Sequence, residues 1–348
     1  PNNVSGFDIV IGNPPYGAKI KKELTVQIKN FYKSSNTIKG KQKGSLDTFT
    51  IFIELALNCL PKNGICNFIL PLSITSSESM EGIHKLIFDS CEKIKICSFG
   101  DRPKTIFDSV EQQVAIIKFI KTNTKVKHLL STEINKRFAN ESIDSMLEKM
   151  KFIDALEWSD LGKIPKISYK IEQSILKKLN LFKNNIGQLF VNENAKGTFV
   201  YYRKAGGRYF KLVTMKTTNS SAEGKLLVEK KYASFVGAIM SSNLFYWYWL
   251  IYSDWHNLKI AEISRFPLQM NCFSDNDLSH LTSLYNDYLS DLEKNSKVMK
   301  SGLKCYYARL SKQFIDKIDI FIGKKIGLSS DEIDFIINYD AKYRITED

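Results

Sequence analysis

The stretch Phe7-Asp8-Ile9-Val10-Ile11-Gly12-Asn13-Pro14-Pro15-Tyr16 constrains this chain more than any other segment. Phe7 to Ile11 is a short β-branched apolar run closed by Gly12, the pattern of a buried parallel strand that stops at a loop. Open α/β sheets hold their ligands at the carboxyl edge of the strands, so Asn13 to Tyr16 is expected at that edge. Two consecutive prolines fix φ and restrict the residue before each, which leaves Asn13 Oδ1 and the Pro14 carbonyl little freedom. Two fixed acceptors side by side suit a planar nitrogen that carries two N–H groups. Drawing on both would favour a more tetrahedral, more nucleophilic nitrogen, and Tyr16 offers a flat face for a ring to stack on. An acidic side chain at position 13 would also accept; a hydrophobic one would not. The plainer alternative is a simple turn, since Asn and Pro both punctuate loops.

The pattern continues. Leu46-Asp47-Thr48-Phe49 opens a helix with Phe49, Phe52, Ile53, Ala56, Leu57 and Leu60 at helical spacing. Pro61-Lys62-Asn63-Gly64 stops it, and Ile65 to Leu70 forms the next strand, ending at Pro71-Leu72-Ser73. Phe99-Gly100-Asp101-Arg102-Pro103 and the segment Ile106 to Gln113 then lead into a strand over Val114 to Phe119. In this order the segments resemble the N6-adenine DNA methyltransferases of the TaqI-like branch. Residues 7 to 16 look like that family's catalytic motif IV, and 99 to 119 like its motif VIII hairpin. The resemblance implies that Asn13, Pro14, Pro15 and Tyr16 form the catalytic loop. It also implies that Tyr16 and Phe107 stack on opposite faces of a flipped base, and that Leu46 and Phe49 line the adenine of S-adenosylmethionine. From the residues alone, Phe107 is equally an ordinary core residue, and Leu46 and Phe49 the buried face of a helix.

In that branch the cofactor is held by a Gly-rich turn after the first strand and an acidic residue after the second, both ahead of the catalytic loop. Only twelve residues precede Asn13, and the chain begins with Pro1 rather than Met. The expectation is therefore the carboxyl-terminal part of a longer protein, or one half of a split one, with most of the S-adenosylmethionine site upstream.

At 348 residues two domains are expected. A formal net charge of +13 suits a polyanionic partner, here double-stranded DNA. Six cysteines show no C-x-x-C and no His at metal spacing, which argues for reduced thiols in a cytoplasm and no metal site. The apolar aromatic stretch Leu244 to Tyr252 is too short to span a bilayer, and no signal peptide is evident. Lys19, Lys21, Lys22, Lys29, Lys33, Lys39, Lys41 and Lys43 follow the catalytic loop with only Glu23 to oppose them. Such a run is either a solvated face or, beside a base pocket, a set of phosphate contacts, with Lys39, Lys41 and Lys43 the candidates.

Past Lys121-Thr122-Asn123-Thr124-Lys125 the apolar strand pattern ends, and helices are expected over Ser142 to Ile153 and Ile171 to Phe182. The domain boundary falls between residues 121 and 170. In Tyr201 to Lys211, basic residues alternate with aromatics around Gly206-Gly207. A hairpin there could lay Arg203, Lys204, Arg208 and Lys211 along a DNA groove, or could be a surface hairpin with snorkelling bases. Ser241 to Trp249, Tyr252 to Asn257, Ile263 to Leu268 and Gly327 to Ile333 resemble the TaqI-like specificity domain. Ser329 and Glu332 are placed for a capping box, and Leu278, Leu281, Tyr285, Tyr288, Leu289 and Leu292 for a long amphipathic helix.

The resulting expectation is an α/β protein: a partial Rossmann-like methyltransferase domain over 1–125, then over 126–348 a linker and a mixed α+β target recognition domain with a helical C-terminus. The function implied is base-flipping, site-specific DNA adenine-N6 methylation in a restriction–modification system. Partners would be DNA and either the missing N-terminal half or a restriction subunit. Two alternatives stay open: a protein-glutamine N5 methyltransferase, whose substrate amide is likewise planar, and a non-enzymatic DNA specificity subunit or remnant. Glu229-Lys230-Lys231 has no Asp before it closer than Asp160, so no nuclease carboxylate cluster is evident.

Overall fold

A computed structural model describes residues 6–17, 21–35, 47–108, 111–192, 196–207, 209–300 and 302–345. The chain divides into two compact units, Pro1–Lys170 with Ile251–Asp254, and Ile171–Leu250 with Trp255–Asp348. The architecture is mixed α/β, as the sequence pattern predicts.

The first unit is built on a six-stranded sheet of β1 (Ile9–Gly12), β2 (Ile65–Pro71), β3 (Lys93–Phe99), β4 (Val114–Ile120), β5 (His128–Asn135) and β6 (Ile153–Asp154), in the order β1-β2-β4-β3-β5-β6. β1 runs parallel to β2 and β5 parallel to β3, while β4 lies antiparallel between β2 and β3. Helices α1 (Lys22–Phe31), α2 (Thr48–Cys59), α3 (Glu81–Ser90) and α4 (Ile143–Glu148) complete the unit. Of the apolar positions read for α2, Phe49, Ile53, Ala56, Leu57 and Leu60 are buried, whereas Phe52 is 40% exposed. The chain then turns at Asn63, whose φ of 71° is left-handed, and enters β2.

Three local expectations need correction. β1 is parallel but it is an edge strand, not a buried one, and Ile9 and Ile11 are 62% and 74% exposed. Alternating or continuous apolar residues report what a strand could bury, and among the described residues nothing pairs with its outer side. The sheet also does not stop near residue 125, because β5 continues it beside β3. Its Ser131 and Thr132 are polar yet fully buried, and Thr132 Oγ1 accepts a hydrogen bond from the Ser98 amide at 3.1 Å. Finally, the helix expected over Ser142 to Ile153 is only the short α4, capped by Ser142 accepting from the Ser145 amide, and Ile153 pairs in β6.

The second unit opens with α5 (Lys170–Leu179) and carries the antiparallel strands β7 (Gly197–Arg203), β8 (Val213–Thr214) and β9 (Glu223–Glu229), in the order β8-β7-β9. Then come α6 (Ala233–Ser241), α7 (Asn243–Tyr252), α8 (Ile260–Ser264) and α9 (Asp275–Lys294), a small hairpin of β10 (Ser296–Val298) and β11 (Lys304–Tyr306), and α10 (Lys312–Lys325), α11 (Ser330–Asn338) and α12 (Ala341–Arg344). α9 buries Leu281, Tyr285, Tyr288 and Leu292, as its spacing predicts. It approaches α6 so closely that a Cβ on Gly237 would lie 2.5 Å from the Tyr285 ring. The Ser329–Glu332 capping box is formed.

Trp247, fully buried in α7, donates its indole N–H to Glu172 Oε1 at 2.9 Å. The amides that open α7 would be orphaned without an acceptor. Asp319 of α10 supplies one: its carboxylate accepts from the Asn243 and Leu244 amides, both at 2.9 Å, and from Asn243 Nδ2 at 2.8 Å. Arg344 donates to Asn243 Oδ1 at 2.6 Å and lies against the Tyr246 and Phe210 rings. Burial outweighs these donors and pushes the Asp319 carboxyl from 3.8 up to about 7. A raised acid binds its proton more tightly in the folded chain, so its stabilising effect is complete below the unfolded value of 3.8 and is lost as pH rises through about 7. Relative to Asp319→Asn, the native chain should therefore lose thermal stability as pH is raised across that window. Parallel melting curves for the two proteins across the window would refute this.

Candidate active site at the Asn-Pro-Pro-Tyr loop

β1 ends at Gly12, opposite Phe68 of β2, and the loop starts one residue later. Pro14 is buried, Asn13 and Pro15 are exposed, and Tyr16 is half-buried. The Tyr16 hydroxyl lies 2.5 Å from Asn13 Oδ1 and 2.8 Å from the Ile69 carbonyl, the next residue along β2. Thr48, the first residue of α2, donates its hydroxyl to the Pro15 carbonyl at 2.5 Å. Gly17 at φ +58° then turns the chain away. The prolines restrict the loop from within, and these side-chain hydrogen bonds tie it to β2 and α2. Burial raises the pKa of Tyr16 above its usual 10.0, so the phenol stays a proton donor at neutral pH.

Phe107 sits on the β3–β4 connection. It is half-buried and packs against a cluster of Phe99, Val114 and Met146, which Ile69 also joins. Ile69 is thus shared by the two aromatics: its carbonyl anchors Tyr16 and its side chain joins the cluster under Phe107. The connection is braced from β5's end. Buried Arg137 donates to the Thr105 carbonyl at 2.8 Å and to the Glu141 carbonyl at 3.0 Å. Thr105 Oγ1 donates in turn to the Phe107 carbonyl at 2.6 Å, and Arg102 pairs with Glu111 at 2.9 Å.

The loop residues Asn13, Pro14, Pro15 and Tyr16 are thus gathered at the carboxyl end of β1 and β2, with Phe107 against the cluster that holds Ile69. Thr48, Ile69 and Arg137 were not singled out in the sequence. Thr48 carried a weak signal as the opening residue of a helix, whereas Ile69 acts through its backbone carbonyl. Phe49 is 2% exposed, covered by its own unit, so it has no ring face open to a cofactor. Leu46, Lys39, Lys41, Lys43 and Arg208 lie outside the described residues.

In the second unit, Gly206 and Gly207 both adopt positive φ, 67° and 55°, in the turn between β7 and β8. Half-buried Arg203 donates Nε to the Ala205 carbonyl at 2.7 Å, and Lys204 is exposed. Lys211 is buried rather than outward-facing. Its ammonium donates to the Gly206 carbonyl at 2.9 Å and the His256 carbonyl at 3.2 Å, over the Trp249 ring at 4.5 Å. It braces the turn from within. Among the described residues no group of three His, Cys, Asp or Glu could hold a metal ion, and no helix is long and apolar enough to cross a membrane.

Comparison with curated protein sequences returned no match. Among solved structures, the chain is similar to the type IIL restriction-modification enzyme MmeI in complex with DNA, at 12% identity over 98% of this chain and 55% of that one, with a TM-score of 0.47. It is similar to the DrdV–DNA complex at 22% identity over 42% of this chain and 17% of that one, with a TM-score of 0.33. The DNA-bound ATP-dependent type ISP restriction-modification enzyme LlaBIII matches at 16% identity over 58% of this chain and 15% of that one, with a TM-score of 0.35. The chain thus spans under a fifth of DrdV and LlaBIII, and about half of MmeI. Residues 2–107, which include the Asn-Pro-Pro-Tyr loop and Phe107, match the family model of the Eco57I restriction-modification methylase.

Proposed function

We propose that this chain is the carboxyl-terminal portion of a site-specific DNA adenine-N6 methyltransferase of a restriction–modification system. In this reading the first unit carries the base pocket and the second reads the target sequence. The observation that carries it is the Tyr16 ring tethered at the carboxyl edge of β2, its hydroxyl between Asn13 Oδ1 and the Ile69 carbonyl. The family match over residues 2–107 supports the methylase reading, and the net charge of +13 supports a DNA partner.

Adenine N6 cannot meet a methyl donor inside the base stack, so the target base is extruded into the pocket. Asn13 Oδ1 and the Pro14 carbonyl accept its two N–H groups and orient the nitrogen. Tyr16 and Phe107 hold the ring from its two faces. The contribution of these residues is alignment, achieved before reaction by the prolines and by the Thr48 and Ile69 anchors. S-adenosylmethionine would supply the methyl group from a site formed mainly by residues outside this chain. Among the described residues nothing pairs with the outer edge of β1, where Ile9 and Ile11 are 62% and 74% exposed, and this supports further structure there. In the second unit, Arg203 and Lys204 remain candidates for DNA contact together with Arg208, while Lys211 braces their turn.

Asn13→Ala in the complete enzyme should abolish methylation and leave DNA binding within about tenfold, or 1.4 kcal/mol. Near-normal turnover would remove Asn13 from the mechanism. The isolated chain should give no heat of S-adenosylmethionine binding in calorimetry and no methyl transfer; methylation by the purified chain alone would place the cofactor site within it. If Arg203 reads a base edge, Arg203→Ala should cost about 1–3 kcal/mol on cognate DNA and relax the preference at one base pair. Lys39, Lys41 and Lys43, read as phosphate contacts, should instead weaken all sequences together and lower the salt slope by about one unit each. Binding across a randomised-site library at two salt concentrations separates the two behaviours, and an unchanged site preference for Arg203→Ala would move recognition elsewhere.

A further inference from the structure

The Tyr16 hydroxyl has one proton and two acceptors within reach, Asn13 Oδ1 at 2.5 Å and the Ile69 carbonyl at 2.8 Å. It can donate to only one at a time. The Ile69 oxygen belongs to the backbone of β2, held between β1 and β4, so it is a fixed point. Asn13 Oδ1 is different. It sits on an exposed side chain whose terminal amide can turn, exchanging an acceptor oxygen for a donor NH2 of nearly the same shape. Only the oxygen can receive an amine N–H; a turned amide would set donor against donor. A neighbouring donor selects the oxygen, and the Tyr16 hydroxyl is that donor.

We propose that the Tyr16 hydroxyl is a positioning group, distinct in its action from the Tyr16 ring: it sets the Asn13 amide oxygen toward the pocket, then turns its O–H to the Ile69 carbonyl as the incoming amine takes over that oxygen. This rests on the reading of the loop as an adenine-N6 site. No covalent bond changes in the exchange, and the phenol keeps its proton throughout. The Ile69 carbonyl keeps the hydroxyl satisfied after the exchange, which spares the cost of a buried donor left without a partner. The raised pKa of Tyr16 suits the same role, because a phenolate would offer an acceptor where a donor is required.

The test uses the active enzyme, this chain together with the portion that binds S-adenosylmethionine. Two readouts are taken on the native protein, Tyr16→Phe, Asn13→Asp and the double variant. They are the single-turnover methylation rate and the emission of 2-aminopurine placed at the target position. Tyr16→Phe keeps the ring, so the emission should match the native enzyme while the rate falls about tenfold, the effect of one hydrogen bond. A carboxylate presents an oxygen on either edge, so in the Asn13→Asp background the same replacement should cost less than about threefold. An unchanged rate in Tyr16→Phe overturns the inference, as does an equal loss in both backgrounds. Should Asn13→Asp be too slow to measure, Tyr16→Phe decides alone: a slower rate with native emission supports the inference, and a matching loss of emission overturns it. A native enzyme that leaves adenine N6 unmethylated overturns the functional reading itself, and that result precedes any variant.

Discussion

Four parallel residue pairs between β1 and β2, from Ile9↔Ile65 to Gly12↔Phe68, place everything at the candidate site. β2 is itself fixed by seven antiparallel pairs to β4, so β1 is registered against a rigid neighbour. Once Gly12 is opposite Phe68, the loop that begins with Asn13 must emerge at the end of β2. Tyr16 then returns to Ile69, the residue immediately after the last paired position, and its hydroxyl takes that carbonyl at 2.8 Å. In effect a side chain adds one more rung to the ladder. Shifting β1 by one residue would turn its side chains to the opposite faces and carry Asn13 past its anchors. The precision of the loop therefore comes from sheet register, and the two prolines preserve it.

The second unit reaches order by a different route, with polar groups buried in its core. Asp319 accepts the opening amides of α7, Glu172 accepts the Trp247 indole, and Arg344 holds Asn243 while donating Nε to the Tyr209 carbonyl at 3.1 Å. Tyr209 also packs edge-on against the buried Trp255, with ring centroids 5.4 Å apart. Together with Lys211, these contacts hold both sides of the Gly206-Gly207 turn. A turn ordered in advance gives up little conformational freedom on binding, which suits the sequence-reading role proposed for it.

The parts of this structure that could be read from the sequence are those determined locally. Helical spacing located α2 and α9, the Ser329–Glu332 pair marked the start of α11, and Asn-Pro-Pro-Tyr was read as a loop behind a parallel strand. What escaped depends on neighbours. The apolar residues of β1 have the composition of a central strand, and no local pattern distinguishes a centre from an edge. Ser131 and Thr132 hid β5 because a buried hydroxyl is acceptable only where a partner exists, and Thr132's partner is the amide of Ser98, far away in sequence. Lys211 announces a charge but not where its stem runs, and a long basic side chain can serve inside a fold as well as on it. Arg137 donates to backbone carbonyls and Ile69 accepts with its own, and backbone oxygens leave no trace in residue type.

Both anchors of the Asn-Pro-Pro-Tyr loop, Thr48 and the Ile69 carbonyl, come from α2 and β2. Along the outer edge of β1 there is no such support among the described residues, and Phe7, Ile9 and Ile11 are 66%, 62% and 74% exposed. An edge strand normally discourages further pairing with charged side chains, proline or a bulge. β1 carries none of these, Asp8 lying just before it, so its edge remains able to accept another strand. The asymmetry has a chemical consequence. A loop fixed on both flanks would be rigid but closed, whereas this one, fixed on a single flank among the described residues, leaves the Asn13 side chain exposed. Pro14 is buried while Asn13 stays exposed. In the proposed reading, an acceptor that must bind a nitrogen arriving with its base, and release it after each turnover, requires that combination of fixed backbone and accessible oxygen.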